Sequence, residues 1–444
     1  MLVGVLEKEF IKAVIDNKVQ SIKYLLGNGI NIDSTDEDGC TALMWAAKDG
    51  NLEMVNILLN NDANVRIVTN NGYSVLMFAA LSGNIEVVER LLDYNIDINQ
   101  QDNDGWTALM SAVSEGYIEI VKFLVENGAD INAKRNDGTT ALMLASSFNH
   151  LNIVRYLHKN GADINASDEN SWNSLMWASS FNHINIIKYL VKNGININAT
   201  RNDGYTALMS ASFKGHLEVV KFLVENGADV NASKNDGYTA LMSASFKGHL
   251  EVVKFLVENG ADVNASKNDG YTALMSASFK GHLEVVKYLL DSGASLNPTI
   301  NNVWNAFIWA AEKGHLEIVK LLLTYGANID DIDNDGCSAL MLAAGEGHLE
   351  VVKYLIANDA FINARDYNHT TVLMRAVNSG NIDVIEYLLE NGVDVFAVDN
   401  SGNTALKIAL MNGYQDIAQF LKKEAHRLEE LKRKREEKHI LLNL

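Results

Sequence analysis

Apolar residues fall into two short runs that recur along the chain. In one copy Leu241, Met242, Ala244 and Phe246, with the small Ser245, mark a short helix. Thr239 opens it and suits an N-cap, because its hydroxyl can accept from the first free backbone N–H groups. Gly248-His249 breaks the run. Leu250, Val252, Val253, Phe255, Leu256 and Val257 then mark a second helix, apolar on most sides, and Gly260 stands just past its end, where a left-handed C-cap is expected. Asp262–Ala265 and the turn signal Asn268-Asp-Gly270 lead to the next copy.

The copies repeat every thirty-three residues. Asn202–Lys234 and Asn235–Lys267 are identical, and Asn268–Lys287 continues the copy. The turn glycine marks the phase at Gly39, Gly72, Gly105, Gly138, Gly204, Gly237, Gly270, Gly336 and Gly402, with Ser171, Val303 and His369 in the same phase. That gives twelve units without insertion, and Phe10–Val14 with Ser21–Gly29 reads as a degenerate thirteenth. A lone helix pair cannot bury its faces, but a stack can, with each unit touching only its neighbours.

The pattern D-G-x-T-A-L-M-x-A-x-x-x-G-H-L-E-V-V-K-x-L-x-x-N-G-A-D-V-N-A resembles the ankyrin repeat from about Val5 to Lys423. The resemblance implies an all-α solenoid of helix-turn-helix units with β-hairpin-like turns, its short first helices and turns lining one concave side. One departure is consistent. The family's T-P-L-H is T-A-L-M here, as in Thr41–Met44, Thr107–Met110 and Thr206–Met209, so ten methionines from Met44 to Met374 replace a histidine that bonds the threonine hydroxyl. Methionine is expected to fill the gap without needing a partner. The boundaries expected are 1–36 for a degenerate N-terminal capping repeat and 37–400 for eleven repeats. A C-terminal capping repeat over 401–423 and a charged helical tail over 424–444 follow. Lys407 replaces the methionine in that last repeat, and Lys422–Leu444 carries eight basic and five acidic residues.

Charge then narrows the partner. A formal net charge of −19 over 444 residues argues against nucleic acid or an anionic membrane. No apolar run is long enough to span a bilayer, and the short apolar N-terminus lacks the basic start of a signal peptide. Cys40 and Cys337 are the only cysteines, which is no disulfide framework and fits a reducing compartment. The expected location is cytoplasmic. The Asn-, Lys- and Ile-rich composition leaves delivery into a host cell's cytosol open as well.

No catalytic motif is present, and the expectation is a binding protein without cofactor or metal. His150, His183, His216, His249, His282, His315 and His348 recur once per unit. Units about 10 Å apart cannot bring them to one ion, so each is read as a polar residue opening the second helix. Asp104 and Asp137 recur with the turn and are read as turn formers. The residue after the turn glycine differs. It is Cys40, Tyr73, Trp106, Thr139, Trp172, Tyr205, Tyr238, Tyr271, Trp304, Cys337, Thr370 and Asn403. Rings that are amphipathic favour interfaces.

Trp106, Trp172, Tyr205, Tyr238, Tyr271 and Trp304 are therefore candidate partner contacts, with Phe213, Phe246 and Phe279 beside them and Lys214, Lys247 and Lys280 at the border. Phe148 and Phe181 fall one residue later in their units. The reading is a monomeric scaffold that holds a protein or peptide in an aromatic groove. A structural spacer with no groove ligand stands as the alternative, and a nucleic-acid groove built from the lysines and rings as a weaker one. The resemblance also implies that Asn231 and Asn264 are hydroxylatable by a suitable host enzyme. Two further expectations are a most protected centre at 202–287 and an altered turn at 298–303, where valine takes the glycine phase.

Overall fold

The computed structural model describes residues 2–297 and 304–442, with side chains described over 6–297 and 304–437. Among these residues there are twenty-six α-helices and no extended sheet. The chain divides into two packed units, one of residues 1–211 with 218–228 and one of residues 212–217 with 229–444. Each is built the same way: first helices stack on first helices, and second helices on second helices. The all-α fold expected of the repeat is the fold observed. The altered turn expected at 298–303 lies outside the described residues.

One repeat shows why the pattern folds so. The first helix, Ala240–Lys247, starts where the Thr239 side chain accepts from Met242 N, and it stops at Gly248 in the left-handed conformation, φ 76°. The second, Leu250–Glu258, buries Val252, Val253 and Leu256, and Gly260 follows at φ 89°. Among the described residues a single antiparallel bridge closes nine of the hairpins, as at Ser233–Thr239 and Ser266–Thr272. The turn glycine is required on two counts at Gly237. Its φ is 87°, and a Cβ there would meet Lys267 Cα and Ser266 O of the next turn at 2.9 Å. Ser171 and His369 nevertheless hold positive φ, 62° and 58°, in the same phase.

His150, His183, His249, His282, His315 and His348 stand at the N-cap and so open the second helix, as expected from sequence, but their side chains make no cap bond. His249 is an N-cap without a side-chain cap bond. Its Nε2 instead meets Phe213 O at 3.1 Å, the exposed C-terminus of the preceding first helix. His150, His183, His282, His315 and His348 bond Ser114, Ser147, Phe246, Phe279 and Glu312 carbonyls in the same way. A carbonyl only accepts, so Nε2 carries the proton. Asn231 is a second inter-repeat staple: its Nδ2 donates to Gly260 O at 2.9 Å and its Oδ1 accepts from Asp262 N at 2.8 Å. Asn264 repeats this with Gly293 and Ser295.

Methionine also departs from expectation. Met44, Met77 and Met374 are buried, and their Sδ atoms accept from the N-cap N–H of Thr41, Ser74 and Thr371 at 3.4, 3.4 and 3.5 Å. A soft acceptor thus stands in the place of a capping-box side chain. At the C-terminal end Lys407, Gln415, Gln419, Lys422 and Lys423 are exposed, and the final helix runs on as Gln415–Leu442.

Candidate functional site

Each turn holds its variable residue by the backbone. Where aspartate stands four residues ahead, its Oδ1 accepts the N–H: Asp102 to Trp106 at 2.7 Å, Asp168 to Trp172 at 2.8 Å, Asp333 to Cys337 and Asp366 to Thr370 at 2.8 Å. In the Thr139, Tyr205, Tyr238 and Tyr271 turns lysine or arginine occupies that place and the aspartate two residues ahead accepts instead, whereas Thr69 Oγ1 accepts from Tyr73 N at 3.0 Å. Asp203, Asp236 and Asp269 take the N–H of Tyr205, Tyr238 and Tyr271 at 3.2, 3.2 and 3.1 Å. Asp137 is such a turn former, for Thr139, whereas Asp102 rather than Asp104 makes the bonds in its turn. The aspartate-held turns are Asx turns, which fix the backbone that carries the next side chain.

All six aromatic residues proposed at this position are half-buried, so none is lost to the core and none stands free. In the first unit Trp172 and Tyr205 meet with ring centroids 6.1 Å apart, and the Arg201 guanidinium covers both at 5.3 and 5.4 Å. Trp106 is held apart from them by Thr139 and carries Arg135 over its ring at 4.9 Å. In the second unit Tyr238, Tyr271 and Trp304 stand at this position in three consecutive repeats. Burial pushes the phenols of Tyr205 and Tyr271 up, with the nearby Ser210 and Ser276 hydroxyls opposing it.

The turn residue rests on a partner that sequence reasoning missed, the fourth residue of the first helix. Trp177 backs Trp172 at 4.9 Å, Trp309 backs Trp304 at 4.3 Å, and Phe78 backs Tyr73 at 5.7 Å. The turns of Tyr205, Tyr238 and Tyr271 have Ser210, Ser243 and Ser276 there. The signal was available: this column reads Trp45, Phe78, Ser111, Leu144, Trp177, Ser210, Ser243, Ser276, Trp309, Leu342, Arg375 and Ile408 beside an almost constant Leu-Met pair.

The phenylalanines and lysines interlock across repeats. Lys247 Nζ lies 4.5 Å from the Phe213 ring centroid, and Lys280 Nζ lies 4.6 Å from that of Phe246. Lys313, also missed, lies 5.1 Å from Phe279, and Phe279 packs edge-on to Trp309 at 5.0 Å. So each lysine pairs with the ring of the preceding repeat, which joins the phenylalanines to the Trp304 cluster. Phe148 and Phe181 are among the exposed rings, and Phe181 stacks on Trp177 at 6.2 Å.

Toward the C-terminus the turn residues are small, and a cavity of about 560 Å³ opens beside Asp366, Thr370, Arg375, Asp399 and Asn403. There Arg375 donates to Asp366 at 2.9 Å and contacts Cys337 Sγ at 2.7 Å. Burial pushes the Cys337 thiol up to about 12 and that of Cys40 up to about 11, so neither is poised as a thiolate. Among the described residues no group of three or more His, Cys, Asp or Glu could hold a metal ion. No helix among them is long and apolar enough to cross a membrane.

A family model described as ankyrin repeats, in three copies, matches residues 10–102, 99–168, 166–234, 232–302, 295–366 and 365–430. No curated protein matches the sequence.

Proposed function

The chain belongs to the ankyrin-repeat family, whose members are generally protein-interaction modules, and from that premise we propose that it is a monomeric scaffold holding a protein or peptide against its hairpin turns and first helices. We read it as a binding protein with no enzymatic activity, no cofactor and no nucleic-acid or membrane partner. Its place is a reducing cytosol, its own or that of a host cell.

One observation carries the reading. The half-buried rings of Trp172, Tyr205, Tyr238, Tyr271 and Trp304 recur once per repeat, and the backbone N–H of the first four is held by an aspartate of its turn. Rings held in place offer large contact area at low entropic cost, which is the make-up of binding hot spots. Lys214, Lys247 and Lys280 at their border suit a partner that carries carboxylates and raise its encounter rate.

The test replaces Tyr205, Tyr238 and Tyr271 together by alanine. The variant is expected to keep the parent's circular dichroism, because these rings are not core. Partner affinity is expected to fall by about 1–2 kcal/mol for each ring. Equal affinity of the folded triple variant for the parent's partners refutes the groove and leaves the spacer as the reading.

A further inference from the structure

We propose that the central lysines read an acidic polyproline-II segment bearing a carboxylate at every third residue; this rests on the groove reading above and names its ligand class. Lys214, Lys247, Lys280 and Lys313 occupy one place in four consecutive repeats, within a chain whose formal net charge is −19. Lys214, Lys247 and Lys280 are exposed. Among the described residues no carboxylate lies within ion-pair distance of Lys247 or Lys280, whereas Lys313 shares Glu312 at 3.6 Å. The row ends there, since the next repeat has Glu346 in that place.

A lysine in the last helical turn also favours the helix dipole, which accounts for a positive charge but not for its fixed position. The position comes from the rings. Lys247 and Lys280 lie over the phenylalanine of the preceding repeat and near their own, at 5.9 Å from Phe246 and 5.1 Å from Phe279. Pinned stems have less rotamer freedom to lose when a ligand arrives.

Stacked repeats place these ammoniums about 10 Å apart. A polyproline-II helix has three residues per turn and rises about 3.1 Å per residue, so side chains at i, i+3 and i+6 share one edge about 9 Å apart. A β-strand with period two cannot hold every third side chain on one face. The mismatch of about 1 Å per repeat is within the reach of a lysine stem. The Phe213 and Phe246 rings under Lys247 and Lys280 supply the aromatic floor on which such segments dock.

The experiment uses the full chain and two labelled peptides of equal composition. One contains four Glu-Pro-Pro triplets, and the other has its glutamates in adjacent pairs. Fluorescence anisotropy at about 50 mM salt is expected to show the triplet peptide binding about ten-fold tighter or more. That preference is expected to vanish in the Lys247→Gln/Lys280→Gln variant, whose thermal melt stays that of the parent.

Equal affinity of the two peptides, a preference that survives the lysine changes, or no binding of either overturns the proposal. So does tighter binding by oligothymidine, which would assign the row to phosphates. So does tighter binding by a helical peptide with glutamate at every seventh residue. The two readings fail separately. Equal binding that the tyrosine triple variant abolishes leaves the groove and removes the register, whereas a triple variant that keeps the parent's partners removes the groove.

Discussion

Two stretches of the second unit share one backbone plan and present opposite surfaces. Over 235–287 the turns carry tyrosine, the first helices carry serine behind it, and lysine lies over phenylalanine from one repeat to the next. Over 333–412 the turns carry Cys337, Thr370 and Asn403, Arg375 stands where serine did, and a cavity of about 560 Å³ replaces the rings. The N-cap, the left-handed glycine and the hairpin bridge are common to both. The frame is therefore set by a few fixed positions. What the surface offers a ligand is decided by two variable columns laid on that frame.

The largest expected effect separates the two turn chemistries. The Asp366 carboxyl is buried, accepts from Asn368 N, Thr370 N and Arg375, and is the sole carboxylate in that turn. Asp366→Ala leaves two N–H groups and a guanidinium unpaired, and is expected to cost about 3 kcal/mol in urea denaturation. Asp236 accepts from Tyr238 N at 3.2 Å and faces Lys267 at 3.6 Å from a more open position, so Asp236→Ala is expected to cost under about 1 kcal/mol. Equal losses would mean that the two turns are not differently held.

Glycine caps give the next contrast. A Cβ on Gly248 would meet His282 Nδ1 at 2.5 Å, and that ring is tied to Phe246 O. On Gly380 it would meet the Tyr414 ring only at 3.2 Å. Both positions have positive φ, which alone costs about 1–2 kcal/mol for alanine. Gly248→Ala is expected to cost about 1 kcal/mol more than Gly380→Ala, because it also displaces the histidine staple.

Acid should split the same two stretches. Burial holds the His249 and His315 imidazoles below the ordinary 6.5, against the raising effect of the carbonyl each one bonds. The unfolded chain then takes up protons first as pH falls. Their contribution is complete above about 6.5 and is lost as pH drops through the window between the unfolded and the lower folded value. The C-terminal repeats use Asn381 and the Tyr414 ring in that place. Hydrogen exchange at pH 7 is expected to find 202–287 the most protected segment. On going to pH 5, amides of 250–291 should lose more protection than those of 372–411.

Much of this was legible and some was not, for a definite reason. The thirty-three-residue period, the Thr239 cap, the Gly248 stop and the variable residue after each turn glycine are local patterns, and local patterns survive in one dimension. The N-cap place of His249 is legible too, but its bond to Phe213, thirty-six residues back, appears only in the stacking register. The stacking of Lys247 over Phe213 is hidden from the sequence for the same reason. Trp177 and Trp309 were passed over because their spacing on a short helix reads as core, while their indoles support the turn residue instead. Ser171 and His369 show that a left-handed turn need not be glycine.

The smallest expected effect is the sharpest statement of the comparison. If the frame is indifferent to its variable columns, a ring can be moved from one stretch to the other at little cost. Thr370 is half-buried, and its N–H is held by Asp366 whatever its side chain is. Its side chain lines the cavity beside Arg375, so a tyrosine would find room. Arg375 could then cover that ring as Arg201 covers Tyr205, at a cost to neither Asp366 nor the turn. Thr370→Tyr is expected to change the unfolding free energy from urea denaturation by no more than about 0.5 kcal/mol, the range of an ordinary surface change, and to fill the cavity in a crystal structure. A loss above about 1 kcal/mol would mean that Arg375 and Thr370 are matched as a pair, as Trp172 is to Trp177. The two columns would then vary together and not independently.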